Sequence, residues 1–276
     1  MPGPAMSLIR PEGLRDVVAR AVQAGMDVVR DWRERGEDVG AQLSADSSGD
    51  QYATAVDDAA EAAVAGVLRS ADPSTPVVGD ILDRATPCER VWVVDPVDGT
   101  MNFVLGDSFV AVTVALLVNG RPVVGATGCP FSGELWSAAE GRGAYDLSGR
   151  RLEVVEPPRG TQRIALDPAA SGPEHLETWN AARSRLAEAF ENVEPRAAIA
   201  LELAYVAAGV FDGLVQVGGS PVQDFAAGVL LIREAGGVVT GLDERVDVWL
   251  SDVVVAGTPT TYHDLREVLH GLGECP

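Results

Sequence analysis

Lysine is missing altogether: the 21 basic side chains of this 276-residue sequence are all arginine, a bias read as codon usage and given no function. Cysteine is scarce. Cys88, Cys129 and Cys275 lie far apart with no C-x-x-C spacing, which excludes a disulfide framework and a zinc site and fits a reducing, cytoplasmic compartment. No apolar run approaches the roughly 18 residues that span a bilayer, and Met1 to Arg10 lack the charged-then-apolar pattern of a secretion signal. Positive charge is also in deficit, since 21 basic against 41 acidic side chains leave a net charge of −20. Such a surface repels phosphate backbones and anionic lipid headgroups, so nucleic acid and membranes are poor partners. An anionic small molecule would be repelled too unless a divalent cation stood between. What is present is ordinary: 46% hydrophobic and 22% charged residues describe a soluble globular chain and exclude disorder. At roughly 150 residues per domain, the length fits one large domain or two tightly joined parts.

Apolar residues from Ile9 to Arg33 (Leu14, Val17, Val18, Val22, Met26, Val29, Trp32) recur at three- and four-residue intervals and predict an amphipathic helix. Gly36 to Gln51 reads as a long polar loop, and loops of that length often act as lids. A second, Ala-rich helix is predicted over Asp57 to Ser70, then strands at Pro76 to Val78 and Val91 to Val94. Runs at Phe109–Val118, Pro122–Cys129 and Glu134–Ala138, separated by Asn119-Gly120 and Ser132-Gly133, predict an antiparallel meander. Gly141 to Tyr145 reads as turn chemistry before a short strand near Leu152 to Val155. The cluster Pro157-Pro158-Arg159-Gly160 divides an N-terminal α+β part, 1–156, from a C-terminal α/β part, 157–276. In the latter, strands at Arg163–Leu166, Gly213–Val217, Gly237–Val239 and Val253–Ala256 are predicted. They alternate with helices near Pro173–Phe190, Ala197–Ala208, Asp224–Ala235 and Thr260–Leu269.

The most informative segment runs from Trp92 to Phe103, where an apolar strand leads straight into Asp95-Pro96-Val97-Asp98-Gly99-Thr100. Pro96 is expected to force the chain out of a sheet, so that Asp95 and Asp98 converge on one side of a turn. Converging carboxylates with a backbone carbonyl, such as that of Val97, form the oxygen-only shell that Mg²⁺ prefers. Gly99 permits close approach, and a helix starting at Thr100 would turn its first N–H groups towards an anion beside the metal. A single D-P-x-D is more often an Asp-rich surface turn with Thr100 as an N-cap; six informative positions in a row reverse that ranking.

The run D-P-x-D-G-T-x-N-F, intact from Asp95 to Phe103, resembles the signature of the inositol monophosphatase family of Mg²⁺-dependent phosphomonoesterases. Thr54-Ala55-Val56-Asp57 with Glu61, Val77-Val78-Gly79-Asp80, and Asp224 to Gly228 followed by Glu234 to Gly237 are similar to its other motifs. The resemblance implies a layered α/β/α/β/α sandwich and two or three Mg²⁺ ions. It implies that Asp80, Asp95 and the Val97 carbonyl hold one ion and that Asp95, Asp98 and Asp224 hold a second. Thr100, paired with Asp57, would orient and activate the attacking water. The Gly99 and Thr100 amides would hold the phosphate of a small-molecule monoester, and family members are often homodimers. From the residues alone, Asp57 and Glu61 also read as an exposed helix face, and Asp224 also reads as an N-cap. Glu234 reads as a helix-end signal without a catalytic part.

The sequence departs from the family at several points. Asp80 replaces the usual Glu, Ile81 the second acid and Gln223 a Trp, and Ala197-Ala198-Ile199 stands for Gly-Ser-Ala. Pro221 and Gln216 fall near positions that in the family's inositol-specific members read the substrate's hydroxyls, and the resemblance also implies that Asp98 touches the substrate. The loop lacks a family Lys, so closure over substrate would use Arg33, Arg35 or nothing basic. These changes imply retained phosphatase chemistry with altered specificity. The alternatives are a phosphatase for fructose bisphosphate, a 3′-phosphonucleotide or histidinol phosphate, and a degenerate regulator that binds metal or a metabolite without turnover.

Overall fold

The computed structural model describes residues 11–36, 44–45, 52–53, 55–79, 89–167 and 175–272. Asp80, Ile81, Thr54, Cys88, Cys275 and most of the 36–51 loop therefore lie outside the described residues.

Along the chain the elements are α1 (Pro11–Arg35), β1 (Ser44–Ala45), β2 (Tyr52–Ala53), α2 (Ala55–Ala71), β3 (Val77–Val78), β4 (Arg90–Asp98) and α3 (Thr100–Val104). There follow β5 (Ala111–Val118), β6 (Arg121–Gly128), β7 (Leu135–Ala139), β8 (Gly143–Asp146), β9 (Arg163–Asp167), α4 (Leu176–Ala189) and β10 (Asn192–Glu194). The last are α5 (Ile199–Ala207), β11 (Gly213–Val217), α6 (Val222–Glu234), β12 (Val238–Gly241), β13 (Val253–Gly257) and α7 (Pro259–Val268).

Five layers stack as α/β/α/β/α. The helices α1 and α2 cover one face of a six-stranded sheet ordered β3-β4-β5-β6-β7-β8, and α5 and α6 cover its other face. Those two helices also lie on a five-stranded sheet ordered β10-β9-β11-β13-β12, whose far face carries α4 and α7. The apolar stripe predicted for α1 is what buries: Val18, Val22, Met26 and Val29 are wholly inaccessible and pack with Trp92 and Val94 of β4. A fully buried side chain of this size contributes roughly 1.5–3 kcal/mol. In the middle layer, residues of both sequence halves, among them Ala111, Trp136, Leu201, Phe225 and Val254, form a single cluster. Close approach there needs Gly228, where a Cβ would stand 2.4 Å from that of Leu203 on α5.

Several expectations are corrected. Pro96 does not end the strand: β4 runs through it to Asp98, with a register shift between Asp95 and Asp98 before pairing resumes at Asp98 with Ala111. The irregularity accommodates a residue that has no N–H for the ladder. The Gly141 to Tyr145 stretch holds a strand, β8, beyond its turn, whereas Leu152 to Val155 forms none. That segment is tied by single bonds, Leu152 N–H to the Ala144 carbonyl at 2.8 Å and Val154 N–H to Ala235 at 3.0 Å. The short strand β10 was not anticipated; its three residues pair in parallel with β9.

Candidate active site

Two strand and helix ends deliver the acidic motif to one place. β4 carries Asp95 and Asp98 to its last residues, and Gly99, at φ 82°, turns the chain directly into α3. Only glycine suits that position. Besides the positive φ, a Cβ would stand 3.0 Å from both the Ala198 Cβ and the Phe109 carbonyl oxygen. From the other half, α6 begins after Pro221 and presents Asp224 in its first turn. Asp224 is not the N-cap: Pro221 occupies that place and no side chain caps the helix. Its carboxyl is instead buried, 7% exposed, against Asp95 and Asp98.

Burial raises all three acids, and Asp95 raises the other two, while its hydrogen bond with Asp224 lowers Asp95 itself. Burial first, and the charge of Asp57 second, push Asp95 up to about 7, although the Val97 amide, which donates to Asp95 Oδ1 at 3.0 Å, pulls the other way. Asp98 is held well above the carboxylate range by burial and by Asp95 and Asp167, while the amides of Ala200 (2.8 Å) and Leu201 (3.3 Å) donate to its Oδ2. Asp224 is raised by burial, by Asp95, Asp98 and Asp167, and by a hydrogen bond with Asp95. Among the described residues, no basic side chain figures among the groups that shift these three.

Donors of this kind, oxygen only, buried and without a basic partner, fit a hard divalent cation. Among the described residues, no three His, Cys, Asp or Glu side chains already stand in ligating geometry. The Asp95–Asp224 hydrogen bond is the pairing expected of carboxyls that keep a proton where none of the described residues sets a positive charge against them.

Thr100 heads α3. Its hydroxyl donates to the Val97 carbonyl at 2.9 Å and lies 3.5 Å from Asp57 Oδ1. Asp57 and Glu61 are half-buried on α2 and do not form an exposed face. Glu61 closes on Gly79, whose absent Cβ would meet Glu61 Oε2 at 2.1 Å. Asn102 of the same motif donates from Nδ2 towards the carbonyls of Phe109 (2.9 Å), Arg196 (2.9 Å) and Ala197 (3.3 Å), so it ties α3 to the segment entering α5. Gln216 is fully buried on β11, donates to Ser220 at 2.5 Å and, among the described residues, has no hydrogen-bond donor to its Oε1.

Two acids escaped the sequence reading. Asp167 ends β9 beside Gln216 of β11, and its charge bears on Asp98, Asp224 and Glu202. Glu202 is wholly inaccessible on α5, held well above its ordinary range by burial, then by the charges of Asp167 and Asp98 and by a hydrogen bond with Asp167. The signal was there in Ile199-Ala-Leu-Glu-Leu-Ala, an acid in an otherwise apolar helix. Glu234, read as a helix-end signal, accepts the Gly141 and Gly143 amides at 2.6 Å each and fastens α6 to the turn before β8. Among the described cysteines, Cys129 is a buried free thiol. No helix among the described residues is long and apolar enough to cross a membrane.

The model of the inositol monophosphatase family matches residues 12–272. The Nus factor SuhB of Escherichia coli strain K12 is 35% identical over 219 residues, 75% of this chain and 78% of that protein. The inositol-1-monophosphatase of Mesorhizobium japonicum is 35% identical over 255 residues, 88% of this chain and 91% of that protein. The structure of the extragenic suppressor protein suhB from Bartonella henselae superposes with a TM-score of 0.81 at 29% identity, covering 94% of this chain and 98% of that one.

Proposed function

Because the chain belongs to the inositol monophosphatase family, we propose that it is a cytoplasmic, Mg²⁺-dependent phosphatase of a small monophosphate, an inositol phosphate or a related sugar or cyclitol phosphate. The observation that carries this reading is the burial of Asp95, Asp98 and Asp224 against one another with no basic side chain, among the described residues, in the groups that shift them. In this reading the N-terminal part, 1–156, supplies the motif and the C-terminal part, 157–276, supplies Asp224. Asp80, Asp95 and the Val97 carbonyl would hold one Mg²⁺, and Asp95, Asp98 and Asp224 another. Bound Mg²⁺ supplies charge neutralisation for the phosphate and the leaving alkoxide, and acidity to water at neutral pH.

The residues of the chain do the rest. The Gly99 and Thr100 amides, at the start of α3 where N–H groups have no intrahelical acceptor, would hold phosphate oxygens. Thr100 Oγ1 can orient the attacking water through a lone pair while its own proton rests on the Val97 carbonyl or on Asp57 Oδ1. Gln216 Oε1, an acceptor without a donor among the described residues, suits a substrate hydroxyl. A homodimer belongs to the same reading.

A second reading is a regulator that binds metal or metabolite without turnover; its support is the 35% identity to a protein named Nus factor SuhB. Phosphate release separates the two. Inositol 1-phosphate, fructose 1,6-bisphosphate, a 3′-phosphonucleotide and histidinol phosphate are tested with Mg²⁺ and with chelator, on the wild type, Asp95→Asn and Thr100→Ala. Turnover that needs Mg²⁺ and is lost in both variants supports the phosphatase. No release from any substrate supports the regulator, and release in metal-free buffer overturns the mechanism.

A further inference from the structure

The sequence suggests Arg33 as a candidate for closing over substrate, yet its guanidinium is spent elsewhere. From the last turn of α1 it donates through Nη1 to the Gly106 carbonyl at 2.9 Å, and through Nη2 to the carbonyls of Phe103 at 3.1 Å and Asp107 at 2.9 Å. Its carbon also lies 4.7 Å from the centroid of the Phe103 ring and 4.4 Å from that of Phe131, two rings stacked 6.3 Å apart. The three carbonyls belong to the end of α3 and the turn that leaves it, where helices have acceptors to satisfy.

α3 has five residues, far below the dozen or so at which an isolated helix becomes marginal, so its position is set from outside. Asn102 fixes its flank to the segment entering α5, and Arg33 fixes its C-terminal end to α1. Ahead of both holds, at the N-terminal end of the helix, stand Gly99 and Thr100, whose amides and hydroxyl must meet the substrate to within a fraction of an ångström.

We propose that Arg33 is a positioning residue for the reaction: gripping the end of α3, it sets where the Gly99 and Thr100 groups stand over the phosphate. This inference rests on the phosphatase reading above. Lysine cannot replace it, because one ammonium neither lies flat on two rings nor reaches three carbonyls in a planar fork.

The test measures kcat and KM for inositol 1-phosphate at saturating Mg²⁺, with thermal melting alongside, for the wild type, Arg33→Lys and Arg33→Met. Arg90→Lys is the control, since Arg90 makes a comparable clamp on Asp72 (2.9 Å) and Thr75 (2.8 Å) away from α3. The expected result is a kcat at least tenfold lower in both Arg33 variants, KM within about twofold of wild type, and Arg90→Lys keeping the wild-type kcat despite a similar fall in melting temperature; a misplacement of about 1 Å can cost 10²-fold. Two results overturn the inference alone: an active wild type whose Arg33 variants keep their kcat, or a kcat that falls equally in Arg90→Lys. A wild type that releases no phosphate from any monoester overturns the phosphatase reading, and the inference falls with it.

Discussion

Asp98 and Ala200 are joined across 102 positions of sequence by one hydrogen bond, the Ala200 amide donating to Asp98 Oδ2 at 2.8 Å. The bond fastens the end of β4 to the first turn of α5, and so connects the acidic motif to the second half of the chain. It also commits one oxygen of Asp98 to the protein, leaving Oδ1 for a cation or a substrate.

Asp98→Asn keeps the shape and the acceptor while removing a charge that burial disfavours. In metal-free protein at pH 8, urea unfolding should therefore find the variant as stable as the wild type or more so. Phosphate release should fall by 10² or more, on the scale of losing one preorganised electrostatic contact. Loss of both stability and activity would show that the charge serves the fold.

Metal removal should expose the acids through pH. Asp95 is raised from 3.8 to about 7, so the folded chain binds more protons than the unfolded one. That contribution to stability is complete below about pH 4 and is lost as pH rises through 7, and Asp98 and Asp224, also raised, contribute with the same sign. Melting in chelator should show a falling midpoint from pH 5 to 8 in this contribution, compared against Asp95→Asn. Mg²⁺ should raise the midpoint more at pH 8 than at pH 5.5; an equal rise at both would contradict the account.

Glu202→Gln tests an acid that costs stability. Glu202 is wholly inaccessible and held well above its ordinary range by burial and by Asp167 and Asp98, so glutamine keeps the shape while removing a group whose ionised form is disfavoured there. Chemical denaturation at pH 8 should show stabilisation. If phosphate release falls while stability rises, the acid is kept for the site; unchanged stability would mean that its proton is held at no cost.

Gly79→Ala places a methyl group where Glu61 now lies, 2.1 Å from Oε2. The atoms it meets are the far end of a flexible side chain, so the Glu61 carboxyl must swing away and melting should fall by less than the overpacking of a core would cause. Because Gly79 immediately precedes Asp80, half-saturation by Mg²⁺ in the activity assay should also move to higher concentration. A variant with wild-type melting and wild-type Mg²⁺ response would show that Glu61 moves aside freely.

Much of this was legible in the sequence where local pattern governs. The three- and four-residue spacing from Leu14 to Val29 predicted the face that α1 buries, and Gly213–Val217 is a strand with the bounds expected of it. The D-P-x-D-G-T run led to acids that burial and mutual repulsion single out. Illegible were features decided by distant partners. β8 and β10 are short edge strands that exist because a neighbour pairs with them. Arg33 reads in the sequence as a candidate for closing over substrate because its actual partners, Phe103, Phe131 and the Gly106 carbonyl, lie some 70 or more positions away. Asp167 and Glu202 gain meaning only once α5 lies over the ends of β9 and β11.

The most direct measurement is anomalous diffraction from crystals grown with Mn²⁺ at a concentration that supports turnover. The account predicts ions in contact with the carboxylates of Asp95, Asp98 and Asp224. Crystals of an active preparation with no anomalous density at those side chains would contradict it.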